Sequence, residues 1–235
     1  MSQRPIVLLH GAGGSYQSTF VDTGWVQFVE AAGRTPIGVN LPGHASPAAS
    51  KSPGDYADLT GLLLPVLPEE KFDAIGFSLG AKLLLELAIR APERLGRLVL
   101  GGVGDNVFAP EAVGAAVAEA LEHGPTPVTT APVLAFLKTW KPGATNPLAL
   151  AAVLRRPPNP VFSVDQLARI NLPILIVNGE NDPVTTLGGR LAATLANVRV
   201  ASVPQSGHFD LPSQPQFKVA ALEFLNAPGP IGANS

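Results

Sequence analysis

Ala74-Ile75-Gly76-Phe77-Ser78-Leu79-Gly80 joins a short apolar run to a helical repeat, with one serine at the joint. Phe72 to Phe77 reads as a buried strand, whereas Leu79, Leu83, Leu84, Leu87, Ala88 and Ala91 recur with the period of a helix. Gly76 and Gly80 flank Ser78 where side chains would collide if the chain folded back that sharply, which is the mechanical demand of a G-x-S-x-G nucleophile elbow. Such a turn aims the serine hydroxyl out of the top of a sheet. The helix that follows directs its first backbone N–H groups, Leu79 nearest, toward any negative charge that develops there. Lys82, Glu86 and Arg90 fall on one narrow polar stripe of an otherwise apolar helix, so the helix is expected to be mostly buried.

The pattern repeats on both sides. Ile6-Val7-Leu8-Leu9 is a continuous apolar run ending in the glycine loop His10-Gly11-Ala12-Gly13-Gly14, and a helix is expected from Phe20 to Ala32. The loop lacks the Gly-Lys-Ser/Thr of a phosphate loop and the G-x-G-x-x-G of a dinucleotide fold, so an anion hole for a reaction intermediate suits it better. A strand from Thr35 to Leu41 and a helix from Asp55 to Leu67 follow. Beyond the elbow come strands around Leu98-Val99-Leu100, Pro173 to Asn178 and Val198 to Val203, with helices from Val184 to Ala196 and from Pro215 to Leu225. Strand alternating with helix at this spacing implies a parallel α/β sheet with helices on both faces. From about Asn106 to Asp165 the alternation stops in a proline-rich excursion with one helical patch near Glu111 to Glu122; so long an interruption of an α/β chain is expected to cover a site.

Composition narrows the function classes. The 235 residues are 46% hydrophobic and 14% charged, with net charge −2, which suits one compact globular unit and gives no reason to expect nucleic acid or an anionic membrane as partner. No cysteine is present, which rules out disulfides, thiolate metal sites and a cysteine nucleophile. The apolar run after Met1-Ser2-Gln3-Arg4-Pro5 is too short for a signal-peptide core and no span is long enough for a membrane helix, so a soluble cytoplasmic protein is the expectation. No cofactor and no metal are expected, and the oligomeric state is left open.

Ser78, Asp182 and His208 lie in the exit loops of three strands, where open parallel sheets gather their sites. A serine hydroxyl becomes a competent nucleophile when a histidine takes its proton and a carboxylate fixes the histidine tautomer. Of the four histidines, His10 and His44 read as structural groups bonding backbone and His123 as exposed, leaving His208. The carboxylate has three candidates. Asp182, in Asn181-Asp182-Pro183, is favoured over Asp105, whose loop leads into the excursion, and over Glu180, which comes earlier in its loop.

Taken together, His10-Gly11-Ala12-Gly13-Gly14, Asn40-Leu41-Pro42-Gly43-His44-Ala45-Ser46, Gly76-Phe77-Ser78-Leu79-Gly80, Gly179-Glu180-Asn181-Asp182-Pro183-Val184 and Gly207-His208 resemble the α/β-hydrolase superfamily over nearly the full chain. The resemblance implies a Ser78-His208-Asp182 triad, with an oxyanion hole from the backbone N–H of Leu79 and of Ala12, Gly13 being second choice. It implies a core of residues 1–105 and 166–227, a cap at 106–165 over the pocket, and a flexible tail at 228–235. Ile6 stands so near the start that the family's opening hairpin is lacking and six strands are expected. Gly13, Phe136 and Trp140 are candidate pocket residues, with Val107, Phe108, Val133, Leu134 and Leu137 supplying further apolar surface and Lys138, Lys141, Arg155 and Arg156 a basic rim. The activity implied is hydrolysis of a small to medium carboxylic ester or lactone. Carbon–carbon hydrolases, cofactor-free perhydrolases and small-molecule receptors share the framework.

Overall fold

A computed structural model describes residues 4–109, 112–140, 145–157, 161–185 and 189–228. Among them six strands, β1 (Ile6–Leu9), β2 (Pro36–Val39), β3 (Phe72–Phe77), β4 (Leu95–Gly101), β5 (Ile174–Gly179) and β6 (Val198–Val203), form one sheet in the order β2-β1-β3-β4-β5-β6. Every neighbouring pair is parallel. The helices are α1 (Trp25–Ala31), α2 (Leu59–Leu63), α3 (Leu79–Arg90), α4 (Ala112–His123), α5 (Ala131–Thr139), α6 (Pro147–Leu154), α7 (Val164–Ala168), α8 (Arg190–Thr194) and α9 (Pro215–Asn226).

The continuous apolar runs arise because both faces of the sheet are covered. Val7, Leu9, Ala74, Leu98, Leu100, Ile174 and Ile176 point to one side and pack with Leu83, Leu84 and Leu87 of α3. Their alternates Ile6, Leu8, Ile75, Val99, Leu175 and Val177 point to the other side and pack with Trp25 and Val29 of α1 and Phe217, Ala221 and Leu225 of α9. At the entry to β3 the buried Asp73 holds Arg34 at 2.5 Å and also accepts the Arg97 N–H at 2.8 Å, pinning the amino ends of the central strands.

Several helices differ from the sequence reading, each for a local reason. The helix expected over 20–32 splits into a wide turn, Gln17–Val21, and α1, because Gly24 between them adopts φ +81. The one expected over 55–67 becomes a short turn at Pro53–Tyr56, α2 capped by Asp58, and a further turn at Leu64–Val66, since Pro65 has no N–H to continue the helix. Of the helix expected over 184–196 the described part is α8; residues 186–188 lie outside the described residues.

The stretch between β4 and β5 carries more helix than its prolines suggest. Pro132 and Pro147 occupy first turns, where a missing N–H costs nothing, and Asn146 caps α6 by accepting the Leu148 N–H at 2.9 Å. Helices α4, α5 and α6 share a small apolar cluster of Val117, Ala120, Val133, Phe136 and Leu150. Arg155 at the end of α6 ties back to Glu119 and Glu122 of α4. The ends of the stretch meet where Phe162 N–H donates to Val107 O at 3.0 Å.

Candidate active site

The turn between β3 and α3 is as tight as its glycines require. Ser78 has φ +51 and ψ −109, a conformation that costs a non-glycine residue on the order of 1–3 kcal/mol and persists only where its surroundings fix it. Ser78 N–H donates to Gly101 O at 2.8 Å and Gly80 N–H to His10 O at 3.1 Å, tying the turn to β4 and β1. A Cβ on Gly80 would lie 2.3 Å from Leu9 O, and one on Gly76 2.7 Å from Ala81 N. Both glycines are therefore obligatory for backbone packing, against β1 in one case and the first turn of α3 in the other.

Two further exit loops, after β5 and β6, converge on this turn. His208 Nε2 lies 3.0 Å from Ser78 Oγ, and His208 Nδ1 lies 2.8 Å from Asp182 Oδ2. Asp182 turns its other oxygen, Oδ1, to the N–H groups of Val184 at 2.7 Å and Thr185 at 3.1 Å. Burial, the largest influence, pushes the Asp182 carboxyl up, but the bond and charge of His208 and the two backbone donors together outweigh it, so it titrates below its ordinary value. A carboxylate so held stays ionised and can keep the proton of His208 on Nδ1, leaving Nε2 to accept from the serine. Asp105 is engaged elsewhere, accepting the Leu191 N–H at 2.9 Å in the first turn of α8, and Glu180 is exposed.

Neighbours that the sequence reading missed fix the imidazole. The rings of Phe77 and Phe209 lie 5.1 and 5.3 Å from that of His208, and Gly102, at φ +67, leaves space where a Cβ would stand 3.0 Å from His208 Cε1. Phe77 and Phe209 adjoin the serine and the histidine in sequence and were legible at least as neighbours of the motif. Gly102 was one glycine in a run with nothing to single it out.

His10 and His44 prove structural, as expected. His10 Nδ1–H donates to Gly11 O at 2.8 Å and its Nε2 accepts Leu41 N–H at 3.0 Å; His44 Nδ1–H donates to Pro42 O at 3.1 Å and its Nε2 accepts Gly13 N–H at 3.1 Å. The carbonyl partners leave each ring only one tautomer. Complete burial, reinforced by His44, takes His10 down to about 3 despite its bond to Gly11. Burial likewise takes His44 to about 4, helped by the Arg156 charge and opposed by its backbone bonds. Because Gly13 N–H is committed to His44, Ala12 is the better placed of the two candidate oxyanion donors. Gly11 brings this loop to the elbow, its notional Cβ lying 3.3 Å from Ser78 Cβ. Leu79 borders a small recess that Ser78 and Ala12 also line.

Ser78 and His208 open into a chamber of about 380 Å³, walled by Val113 and Val117 of α4, Phe136 of α5, Leu154 of α6, and Val184 and Phe209. Phe136 is thus in place, whereas Gly13 and Trp140 line a neighbouring cleft of about 330 Å³ and not the chamber itself. Val107 and Val133 are spent on packing and Phe108 is stacked by Arg190, whose guanidinium carbon lies 4.1 Å from the ring centre. Of the four basic residues near this stretch, Lys138 is exposed as in a solvated rim, Arg155 is paired with Glu119 and Glu122, Arg156 is buried, and Lys141 lies outside the described residues. Lys82, read as part of a narrow polar stripe, is buried beside a recess that Gly114 of α4 and Leu154 of α6 also line, neighbours that the sequence of α3 alone has no means of showing. The amphipathic spacing of Val113 and Val117 is the signal that would have found the chamber wall. Glu119, Glu122 and His123 bring ligand atoms within 4.8 Å of one another, but on an outer face where Arg155 already pairs with both carboxylates.

A parallel sheet whose exit loops assemble a serine, a histidine and an aspartate defines a hydrolase fold, and the chain's own family follows from comparison. Residues 6–222 match the model of the alpha/beta hydrolase family, to which the chain belongs. Among solved structures it is similar to an alpha/beta hydrolase enzyme from a Medee basin deep-sea metagenome library (19% identity, 100% of this chain and 93% of that one, TM-score 0.76). It is also similar to a thermophilic esterase from Thermogutta terrifontis (21% identity, 95% and 90%, TM-score 0.70). A third likeness is to BpoC from Mycobacterium tuberculosis, described as a candidate non-heme bromoperoxidase (22% identity, 95% and 93%, TM-score 0.71). At these identities the likeness is one of fold. Among the described residues no helix is long and apolar enough to cross a membrane.

Proposed function

We propose that the protein is a serine hydrolase that cleaves a small to medium carboxylic ester or lactone through an acyl-enzyme. Ser78 Oγ attacks the carbonyl carbon while His208 Nε2 takes its proton; the tetrahedral oxyanion is held by the N–H groups of Ala12 and Leu79. Collapse breaks the carbon–oxygen bond of the ester, and the proton on His208 passes to the leaving alcohol. Water, deprotonated by His208, then attacks the acyl-enzyme and frees the acid and Ser78. Asp182 orients the imidazole and stabilises its cation throughout. Residues 106–165 act as the cap that excludes solvent and shapes the substrate. The observation that carries this reading is the unbroken chain Ser78 Oγ, His208 Nε2, His208 Nδ1, Asp182 Oδ2, at 3.0 and 2.8 Å, opening into an apolar chamber.

A fluorophosphonate probe tests it: the purified protein should be labelled at Ser78, with mass spectrometry locating the adduct, and should turn over a panel of chromogenic esters and lactones of graded length. Labelling without turnover of any ester or lactone would shift the reading to carbon–carbon hydrolysis or perhydrolysis, which use the same nucleophile. Neither labelling nor turnover would leave a receptor on the same fold.

A further inference from the structure

The chamber and the cleft that meet beside Ser78 differ in chemistry. Val113, Val117, Leu154 and Val184 make most of the chamber wall apolar, with Asp105 and Asn106 its polar side chains besides Ser78 and His208. Gln17, Ser18, Thr23, Thr139 and Ser213 add hydroxyl and amide groups to the cleft beside its aromatic rings; the Thr23 and Thr139 hydroxyls donate to backbone carbonyls and Gln17 to Asp22, so the hydroxyl oxygens are left to accept, and among the described lining residues Asp22 alone carries a charge. Trp140 lines the cleft as well, and among the described residues its buried indole N–H has no hydrogen-bond partner, an omission that ordinarily costs about 1–3 kcal/mol until an acceptor arrives. The partition between the two spaces is built. Phe136 and Phe209, ring centres 6.3 Å apart, line both compartments, and Phe136 reaches its position because Gly13, at φ +75, has no Cβ; one there would stand 2.7 Å from Phe136 Cζ. Gly11, Ala12 and Phe77 also border both, so the two spaces meet at the proposed oxyanion donor.

We propose that the substrate is a two-armed ester, its apolar alcohol arm in the chamber and a neutral, hydroxylated acyl arm in the cleft, the two divided by Phe136 and Phe209. This rests on the ester-hydrolase reading above and assigns the arms within it. The orientation follows from proton transfer. The leaving oxygen must face His208 Nε2 to receive its proton, and His208 borders the chamber and not the cleft, so the alcohol arm lies in the chamber. The acyl chain leaves the carbonyl on the side away from His208, past Gly11 and Ala12, and so enters the cleft. Asp22, which also lines the cleft, disfavours an anionic acyl group, and the hydroxyl oxygens of Thr23, Thr139 and Ser213 can accept from hydroxyls on the acyl arm.

Two isomeric esters separate the arms. Hexyl glycerate carries its hydroxyls on the acyl side and glyceryl hexanoate carries them on the alcohol side. Hexyl glycerate should be hydrolysed with kcat/KM about tenfold higher than its isomer and than hexyl butyrate, the scale of one or two net hydrogen bonds. Ser213→Trp, which fills the cleft, should bring the ratio of hexyl glycerate to hexyl butyrate near one. Trp140→Phe, which keeps an aromatic ring and removes only the N–H, should lower that ratio about threefold, so the test survives if the larger substitution fails to fold. Equal rates for the isomers, a preference for glyceryl hexanoate, or a ratio that neither substitution moves would overturn the assignment while hydrolysis of hexyl butyrate left the ester reading standing. A wild-type protein that resists the fluorophosphonate and hydrolyses none of the three would overturn both.

Discussion

Acid should unfold this protein through two histidines that take no part in the proposed chemistry. His10 and His44 are buried with rings 5.1 Å apart, and they titrate at about 3 and about 4 in the folded chain against 6.5 for an unperturbed histidine. A histidine whose folded value is depressed contributes stability that is complete above its unfolded value and is lost as pH falls from there toward its folded value. Between about pH 6.5 and 4 the unfolded chain binds two protons that the folded chain refuses, so stability should fall by about 2.7 kcal/mol per pH unit. From 4 to 3 His10 acts alone. The whole window removes several kcal/mol, a sum on the order of the total stability of about 5–15 kcal/mol usual for a domain. Depressed carboxyls such as Asp58, Glu122 and Asp182 lose their contribution only below the usual carboxylate value, so the range from about pH 6.5 to 5 isolates histidine. Arg156, beside His44, keeps its charge throughout this range and opposes protonation. Urea unfolding followed by circular dichroism at half-unit steps from about pH 7.5 to 4.5 measures the slope, and His44→Gln should halve it to about 1.4 kcal/mol per unit while lowering stability at neutral pH. A stability that is flat from pH 7 to 5, or a slope that His44→Gln leaves intact, would refute the reasoning.

Other outcomes follow from the site and the core. Ser78→Ala should reduce kcat by on the order of 10⁶ without changing the melting temperature by more than the relief of backbone strain allows, read by ester turnover and calorimetry. Asp182→Asn should reduce kcat by roughly 10⁴ and Asp105→Asn by less than about tenfold, measured on variants shown to be folded; the reverse ranking would place the acid at Asp105. Gly102→Ala forces a side chain into a left-handed residue and toward His208, so kcat should fall with KM little changed, and a wild-type rate would mean the imidazole does not depend on that gap. Asp73→Ala strands the buried Arg34 guanidinium and should cost about 3–5 kcal/mol in urea unfolding, with little effect on kcat at temperatures where the protein is folded.

What the sequence reveals is what is local or strictly periodic. The central strands and the elbow are legible because a strand buried on both faces is apolar over its buried stretch, as in Ile6–Leu9 and Ile174–Val177, and because a turn that tight admits only glycine at Gly76 and Gly80; the edge strands β2 and β6 are only partly buried and are marked instead by the spacing of the alternation. The roles of His10 and His44 were legible by elimination, their hydrogen-bond partners were not: Leu41 N–H and Gly13 N–H meet those rings only after β1 and β2 pair. Helix ends failed for backbone reasons, at Gly24 and Pro65. The helices α5 and α6 within the excursion were missed because prolines read there as breakers, whereas Pro132 and Pro147 stand in the one turn of a helix that tolerates them.

The identity of the chamber wall lay furthest from view, and the reason is physical. An apolar residue on an inserted helix has two ways to be apolar, against its own neighbours or against a substrate, and local sequence is the same for both. Val133 and Phe136, three residues apart on α5, are both buried, yet only Phe136 borders the chamber and Val133 is consumed in the cluster with Val117 and Leu150. What separates them is a glycine more than a hundred positions away: Gly13, which lacks a Cβ where Phe136 comes to rest. The same residue gives its N–H to His44, so one glycine both seats the ring that divides chamber from cleft and fixes the loop that carries the proposed Ala12 donor. Any larger residue at position 13 would therefore disturb the proposed substrate division and the proposed oxyanion geometry together, although neither is written in the side chain it replaces.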